Sequence, residues 1–317
     1  DGRIVAVKLL YPGIEELIRR DLGVLALLMP LLRRLFPIAR FDRVLPQLTQ
    51  MLAHETDYTN EAANIERVRA MFAQRPDVVV PDVVPELSGH AVLTMSFESG
   101  IKISDKPALA AAGIDAHALA RLLVDCYLTM LFGHQVFHAD PHPGNFLVRP
   151  GPVLIILDYG AVEPVTDALA RGMRTVMSGA LLRNPDTVLD GLEQMGFVAP
   201  GGDRNVLRSL GREYLKALAS LKVDDFSELG SGTIRALSGY ELMRGRLREI
   251  MQSTQYPDGY FYVERTLVLL FGLVGQLDPE RGLPGVAAPL AAKALLRSFA
   301  RPASNPPPAQ ATPESAS

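Results

Sequence analysis

Two short stretches carry the residue types that phosphate chemistry needs. His138-Ala139-Asp140-Pro141-His142-Pro143-Gly144-Asn145 has the form H-x-D-x-x-x-x-N, and Ile155-Ile156-Leu157-Asp158-Tyr159-Gly160 is an apolar run ending in D-x-G. Asn145 and Asp158 are 13 residues apart, enough for a tight β-hairpin that returns the second acid beside the first loop. Magnesium is a hard ion that takes carboxylates, amide oxygens, phosphate oxygens and water. Asp158 and the side-chain oxygen of Asn145 suit that role. Asp140 is then placed toward a nucleophile, as proton acceptor or orienting group. Alone, a D-x-G reads as a turn, and Pro-rich loops with Asp and Asn are common turns too. The agreement of loop, spacing and intervening apolar strands favours the metal reading.

A cation should face these acids. Val5-Ala6-Val7-Lys8 places a lysine at the end of an alternating strand. Such a lysine can simply snorkel to the surface, yet V-A-x-K resembles the setting of the kinase lysine that contacts nucleotide phosphates and pairs with a helix glutamate. The candidate partner lies in Glu55-Thr56-Asp57-Tyr58-Thr59-Asn60-Glu61-Ala62-Ala63. Asp57 and Glu61 are four apart and share a helix face, where like charges are mildly unfavourable unless a cation answers them. Lys8 is the natural answer for Glu61; a solvated acidic face is the alternative.

The elements that must position these groups follow from periodicity and breakers. Arg3–Leu10 is alternating and β-branched, hence a strand, and Tyr11-Pro12-Gly13 ends it. Ile14 to about Arg34 is helical, with Pro30 and Pro37 kinking or ending it. Phe41–Phe72 reads as one or two helices. Val78–Val80 and Ala91–Phe97 are strands, after which Glu98-Ser99-Gly100 loosens the chain at a lobe boundary. Ala108–Phe132 is an apolar helix, Phe146–Val148 and Val153–Leu157 are short strands, and Thr166–Ser298 is helical with breaks near Asn184-Pro185 and Gly201-Gly202. The Pro-, Ala- and Ser-rich segment 300–317 is expected to be a disordered tail. The resulting fold class is α+β in two lobes, residues 1–98 and 99–299.

Composition sets the outer limits. The 317 residues are 48% hydrophobic and 21% charged, which fits a globular chain with a substantial core. A net charge of −3 argues against nucleic acid as a partner. The single cysteine, Cys126, permits neither an internal disulfide nor a cysteine-based zinc site, and its apolar neighbours make it a core residue. His134 and His142 have no zinc-like company in the sequence. Asp1-Gly2-Arg3 opens without Met or a leader, so the chain reads as the interior of a longer protein with no signal peptide. The longest uncharged runs, Leu22–Leu32 and Thr266–Leu277, fall short of the ~20 residues a bilayer span needs, so a cytoplasmic location follows, with peripheral contact at the inner membrane face left open.

Together these motifs resemble the UbiB/AarF/ADCK family of atypical protein-kinase-like proteins. The resemblance rests on Val5-Ala6-Val7-Lys8 before Tyr11-Pro12-Gly13, Glu55-x-Asp57-Tyr58 with Glu61-Ala62-Ala63, the His138–Asn145 loop and Leu157-Asp158-Tyr159-Gly160. Pro257–Pro279 is similar to the family's C-terminal helix. It implies a protein-kinase-like two-lobed fold: a small, incomplete β-containing N-lobe with a helical insert, and a mainly helical C-lobe. It implies ATP and Mg²⁺ as cofactors and a link to ubiquinone or other isoprenoid-quinone lipids. The implied catalytic residues are Asp140 and Lys8. Lys8, Glu61, Glu55, Asp57, Met95 and Phe97 would bind the nucleotide, with Met95 equally at home in the core. Asn145 and Asp158 would hold the metal. An isoprenoid or lipid-like ligand and a membrane surface are the further partners. The family's Lys-x-Gly-Gln extension and alanine-rich nucleotide loop would precede Asp1, and His138-Ala139-Asp140 departs from the His-Arg-Asp of ordinary protein kinases.

Two other readings compete with a kinase or ATPase of this type. A small-molecule phosphotransferase of the aminoglycoside or choline kinase type shares H-x-D-x-x-x-x-N, but fits the Lys8 and Glu55–Ala63 segments less well. A non-catalytic kinase-fold regulator is the other, and the retained acids speak against it. The apolar helix around Leu22–Phe36, with Arg33, Arg34 and Arg40, could rest on a membrane; lobe packing is the plainer account. Arg265 reads as a structural ion-pair residue.

Overall fold

The computed structural model describes residues 2–35, 56–209, 212 and 252–300. Glu55, Arg40, most of the Phe41–Thr56 stretch and the expected tail beyond Ala300 lie outside them.

Strand β1 (Val5–Leu9) leads through Tyr11-Pro12-Gly13 into helix α1 (Ile14–Leu35). Pro30 lies inside α1 rather than ending it; a proline there removes one backbone bond, and the helix continues past it. Helix α2 (Tyr58–Met71) starts at Asp57, whose carboxylate accepts the Thr59 N–H as an N-cap. β2 (Val78–Val79) and β3 (Val92–Ser96) follow, and β3 pairs antiparallel with β1, setting Lys8 opposite Leu93.

The expected loosening at Glu98-Ser99-Gly100 is not what the structure shows. Arg149 donates to the Ser99 carbonyl at 2.8 Å and to Glu98 at 2.6 Å. A side chain at Gly100 would meet Leu147 Cβ at 2.9 Å, so the backbones pack too closely for any residue but glycine.

β4 (Ile101–Lys102) enters a four-stranded sheet of order β2–β7–β6–β4, with β6 at Phe146–Arg149 and β7 at Val153–Ile156. β6 and β7 form the anticipated hairpin, with Phe146 opposite Ile156. The helix read over Ala108–Phe132 is instead broken. α3 (Lys106–Ala111) ends at Gly113, whose φ of +69° suits glycine, and Asp115 caps a new helix, α4 (Ala116–Leu128). A π-turn (Thr129–His134) carries α4 into β5 (Val136–His138), which pairs with β8 (Val162–Pro164).

Helices α5 (Asp167–Leu181) and α6 (Pro185–Met195) pack closely through glycines. A Cβ on Gly172 would lie 2.5 Å from the Gly191 carbonyl, and one on Gly191 2.7 Å from the Gly172 carbonyl. α7 (Tyr260–Leu277) and α8 (Gly282–Ala300) close the fold against α4. The core is continuous from Ile65 and Leu93 through Leu119, Leu123 and Phe146 to Leu273 and Val274. Burying such side chains contributes about 1.5–3 kcal/mol each, and it fixes the edges from which the polar loops emerge.

Two segments, Ala116–His134 and Tyr260–Leu277, are long and apolar enough by composition to cross a membrane. Neither is an uninterrupted uncharged run, since Arg121 and Asp125 lie in the first and Glu264 and Arg265 in the second. Each helps build the core here: Leu119 and Leu123 from the first, Leu273 and Val274 from the second.

Candidate active site

Three elements far apart in sequence meet at one amine. Lys8 on β1 donates to Glu61 Oε1 on α2 and, at 3.0 Å, to Asp158 Oδ2 just past β7. Glu61 is buried in the first turn of α2, one turn beyond the Asp57 cap. Its Oε1 also accepts the Tyr159 N–H at 3.1 Å. One turn further along α2, Asn64 donates to the Tyr159 carbonyl at 3.0 Å. Both backbone polar groups of Tyr159, its N–H and its carbonyl, are therefore tied to α2. The ring is fully buried and its hydroxyl donates to the Ile156 carbonyl at 3.0 Å.

The second loop is joined to the first at backbone level. Leu157 N–H donates to the Asn145 carbonyl at 2.9 Å, so the β6–β7 hairpin returns Asp158 as the spacing required. The buried His138 bridges the same two loops. Its Nε2 lies 2.6 Å from the Asp158 carbonyl, while Nδ1 accepts the Asp140 N–H at 3.3 Å. A ring that donates from Nε2 and accepts at Nδ1 is a neutral imidazole, and burial holds its pKa below the usual histidine value. His138 thus buttresses both loops at backbone level.

Asp140 is held at both carboxylate oxygens. Asn145 Nδ2 donates to Oδ2 at 3.2 Å and to the Asp140 carbonyl at 3.0 Å, and Arg265 on α7 donates to Oδ1 at 3.1 Å. Arg265 was read from sequence only as a structural ion-pair residue. The available signal was a guanidinium in the middle of an apolar helix, which needs a partner.

The electrostatics follow from this geometry. Burial pulls the Lys8 ammonium down, but Asp158 and Glu61 outweigh it and hold the pKa above the usual lysine value. Burial pushes Asp158 up, and Lys8 with the Gly160 N–H overrides it, holding the carboxyl below the usual range. Burial raises Glu61 against the opposing pull of Lys8.

The remaining expected residues lie elsewhere. Asp57 caps α2, with Oδ1 also accepting the Thr59 hydroxyl at 2.6 Å. Met95 is buried in the core opposite Ala6, and Phe97 is exposed just beyond β3. Neither side chain joins the Lys8 cluster through a hydrogen bond or ion pair. No group of three or more His, Cys, Asp or Glu side chains at metal-binding distance occurs among the described residues. The oxygen donors present, Asp158 and Asn145, fit a magnesium ion that takes its other ligands from phosphate and water.

A family model described as the ABC1 atypical kinase-like domain matches residues 1–191. The chloroplastic protein ACTIVITY OF BC1 COMPLEX KINASE 8 of Arabidopsis thaliana is 30% identical over 324 residues, covering 93% of this chain and 42% of that protein. AarF domain-containing protein kinase 1 of Xenopus tropicalis is 32% identical over 173 residues, covering 53% of this chain and 33% of that protein. The chain thus spans less than half the length of these two relatives. Among solved structures, the complex of Rv3197 with erythromycin from Mycobacterium tuberculosis is similar in fold, with a TM-score of 0.63 at 23% identity over 95% of this chain and 73% of that one. With a kinase-like α+β fold and a family match over more than half its length, the chain belongs to the ABC1 atypical kinase-like family, the UbiB/AarF/ADCK group whose motifs it carries.

Proposed function

We propose that this chain is the catalytic part of an atypical kinase or ATPase that binds a magnesium–ATP complex at the Lys8–Glu61–Asp158 cluster. One observation carries the reading: a single lysine amine bridges a helix carboxylate and the D-x-G carboxylate, on a loop fastened by His138 to the H-x-D loop. Such an arrangement presents a positive charge to phosphate oxygens while two carboxylates hold it in place. Asp158 and Asn145 would hold the metal. Asn145 commits its Nδ2 to Asp140, so its amide oxygen is the donor it offers. When bound, the ion would neutralise charge on the transferring phosphoryl group.

Phosphoryl transfer asks little covalent chemistry of the protein, and positioning with charge stabilisation suffices. Lys8 supplies charge at the phosphates, and Glu61 keeps the amine from turning away. Asp140 orients the attacking hydroxyl or water and takes its proton as the bond to phosphorus forms and the bond to the leaving phosphate oxygen breaks. Asp57, which caps α2, and Glu55, two residues before it in sequence, are proposed to face the nucleotide side. Met95 and Phe97 mark the strand whose backbone would meet the base.

The same reading places the protein in isoprenoid-quinone lipid metabolism, on the family resemblance. Contact with a membrane surface is supported by α1, where Leu17, Val24, Leu27 and Leu28 are exposed beside Arg19 and Arg20. The deciding experiment is nucleotide binding and turnover by the full-length protein, with and without Mg²⁺ and isoprenoid lipid. Magnesium-dependent ATP affinity, with turnover strongly reduced but still measurable in Asp140→Asn, is expected. ATP affinity indifferent to magnesium would remove the metal role. Turnover unchanged in Asp140→Asn would remove Asp140 from the chemistry.

A further inference from the structure

Arg265 and Thr266 are neighbours on α7, beyond the residues matched by the family model. They reach two neighbouring residues of the H-x-D loop. Arg265 Nη2 donates to Asp140 Oδ1 at 3.1 Å, and Thr266 Oγ1 donates to the Ala139 carbonyl at 3.1 Å. Thr266 and Ala139 are both fully buried, so this second bond is made where no water competes. Ala139 has only a methyl side chain; its N–H is tied to the Ala161 carbonyl at 2.7 Å, and Thr266 holds its carbonyl. The Arg265–Asp140 pair is different: its side chains are 40% and 31% exposed. An ion pair this open to water adds little to stability. Its geometric effect is larger, because Asn145 already holds Oδ2. With Arg265 on Oδ1, the carboxylate is fixed in both rotation and position.

We infer that α7 is part of the active site, with Arg265 a positioning residue that acts through Asp140 and Thr266 the anchor of the loop backbone beneath it. The inference rests on the phosphoryl-transfer reading given above. A positioned carboxylate contributes by orientation, and displacements near 1 Å at such a group cost about a hundredfold in rate. Arg265→Met should therefore lower kcat by about 10–100-fold while leaving KM and magnesium–nucleotide affinity within about twofold, since nothing that Arg265 touches is a phosphate ligand. Arg265→Lys should recover part of the loss.

The test is a double-mutant cycle in the full-length protein, combining Arg265→Met with Asp140→Asn. If Arg265 works only through Asp140, its removal changes kcat less than about twofold once Asp140 is already Asn. An equal loss in both backgrounds, or a rise in KM at unchanged kcat, overturns the inference. A second readout needs no turnover. Thr266→Val, nearly equal in volume, should speed amide hydrogen exchange at Ala139, Asp140 and His142 by about tenfold while leaving the β6–β7 hairpin unchanged. Unchanged exchange overturns the α7 anchor even if the protein hydrolyses no ATP. A protein with a responsive loop but no magnesium–nucleotide binding overturns the phosphoryl-transfer reading instead.

Discussion

Glu61 performs two tasks with one oxygen, and two substitutions separate them. Oε1 accepts from the Lys8 ammonium and from the Tyr159 N–H, and the residue is only 5% exposed. Glu61→Gln keeps the volume and an oxygen for Tyr159 but removes the charge. Breaking a fully buried ion pair costs about 3–5 kcal/mol. Here Lys8 retains Asp158 at 3.0 Å and keeps 26% of its side chain exposed, so water and the second carboxylate reduce the loss to about 1–2 kcal/mol. Glu61→Ala adds the cost of an unpaired buried N–H, about 1–3 kcal/mol, and of lost methylene packing, about 1 kcal/mol. The alanine variant should thus fall short by about 3–6 kcal/mol in all. Urea unfolding of both variants reads these values directly, provided the m-value stays constant. On heating, Glu61→Gln should lower Tm by roughly 2–8 °C, at about 2–4 °C per kcal/mol for a large domain. Indistinguishable Gln and Ala variants would refute the Tyr159 role. A Gln variant as stable as the parent would refute the buried ion pair.

Further perturbations test separate parts of the account. Asn64→Ala, which strips the hydrogen bond to the Tyr159 carbonyl, should cost about 1–2 kcal/mol in urea unfolding. Gly179→Ala should lower Tm by several degrees, because its Cβ would sit 2.6 Å from Val188 N and force α5 from α6. Gly23→Ala on α1, where a Cβ would meet no neighbouring side chain or other element among the described residues within 4 Å, should stabilise by about 0.5–1 kcal/mol in the same assay. Burial holds the His138 pKa below that of the unfolded chain. The unfolded state therefore takes up the proton first as pH falls below about 6.5, so His138 contributes stability that is complete above that pH and is lost down through its folded value. Urea midpoints across this window should fall in the parent and fall less in His138→Gln.

What was legible in the sequence was chemistry with a fixed spacing. A spacing of 13 residues from Asn145 to Asp158 leaves room for little but a hairpin, and the hairpin is there. Lys8 and Glu61 are 53 residues apart, yet a cation at a strand end and an acid without a local partner identify each other, and they meet. Features set by single breakers were harder to see. The run Ala108–Phe132 is apolar enough to read as one helix, and only Gly113 followed by the Asp115 cap divides it. At Glu98-Ser99-Gly100 the residue types suggest slack, but Arg149, some 50 residues later, removes it. Arg265 was the least readable, since its partner lies 125 residues earlier and no local pattern links them. Glu55 lies outside the described residues, so only the Asp57 half of the expected acidic pair has a place in the fold.

The central claim is that Asp158 and Asn145 share one divalent ion with a nucleotide. Manganese can stand in for magnesium at oxygen ligands, and the spectrum of free Mn²⁺ reports its uptake by electron paramagnetic resonance. The account predicts tight uptake by the full-length protein only when ATP is present, with uptake abolished in Asp158→Asn and weakened in Asn145→Ala. Uptake that is independent of ATP, or that persists at full strength in Asp158→Asn, would contradict it.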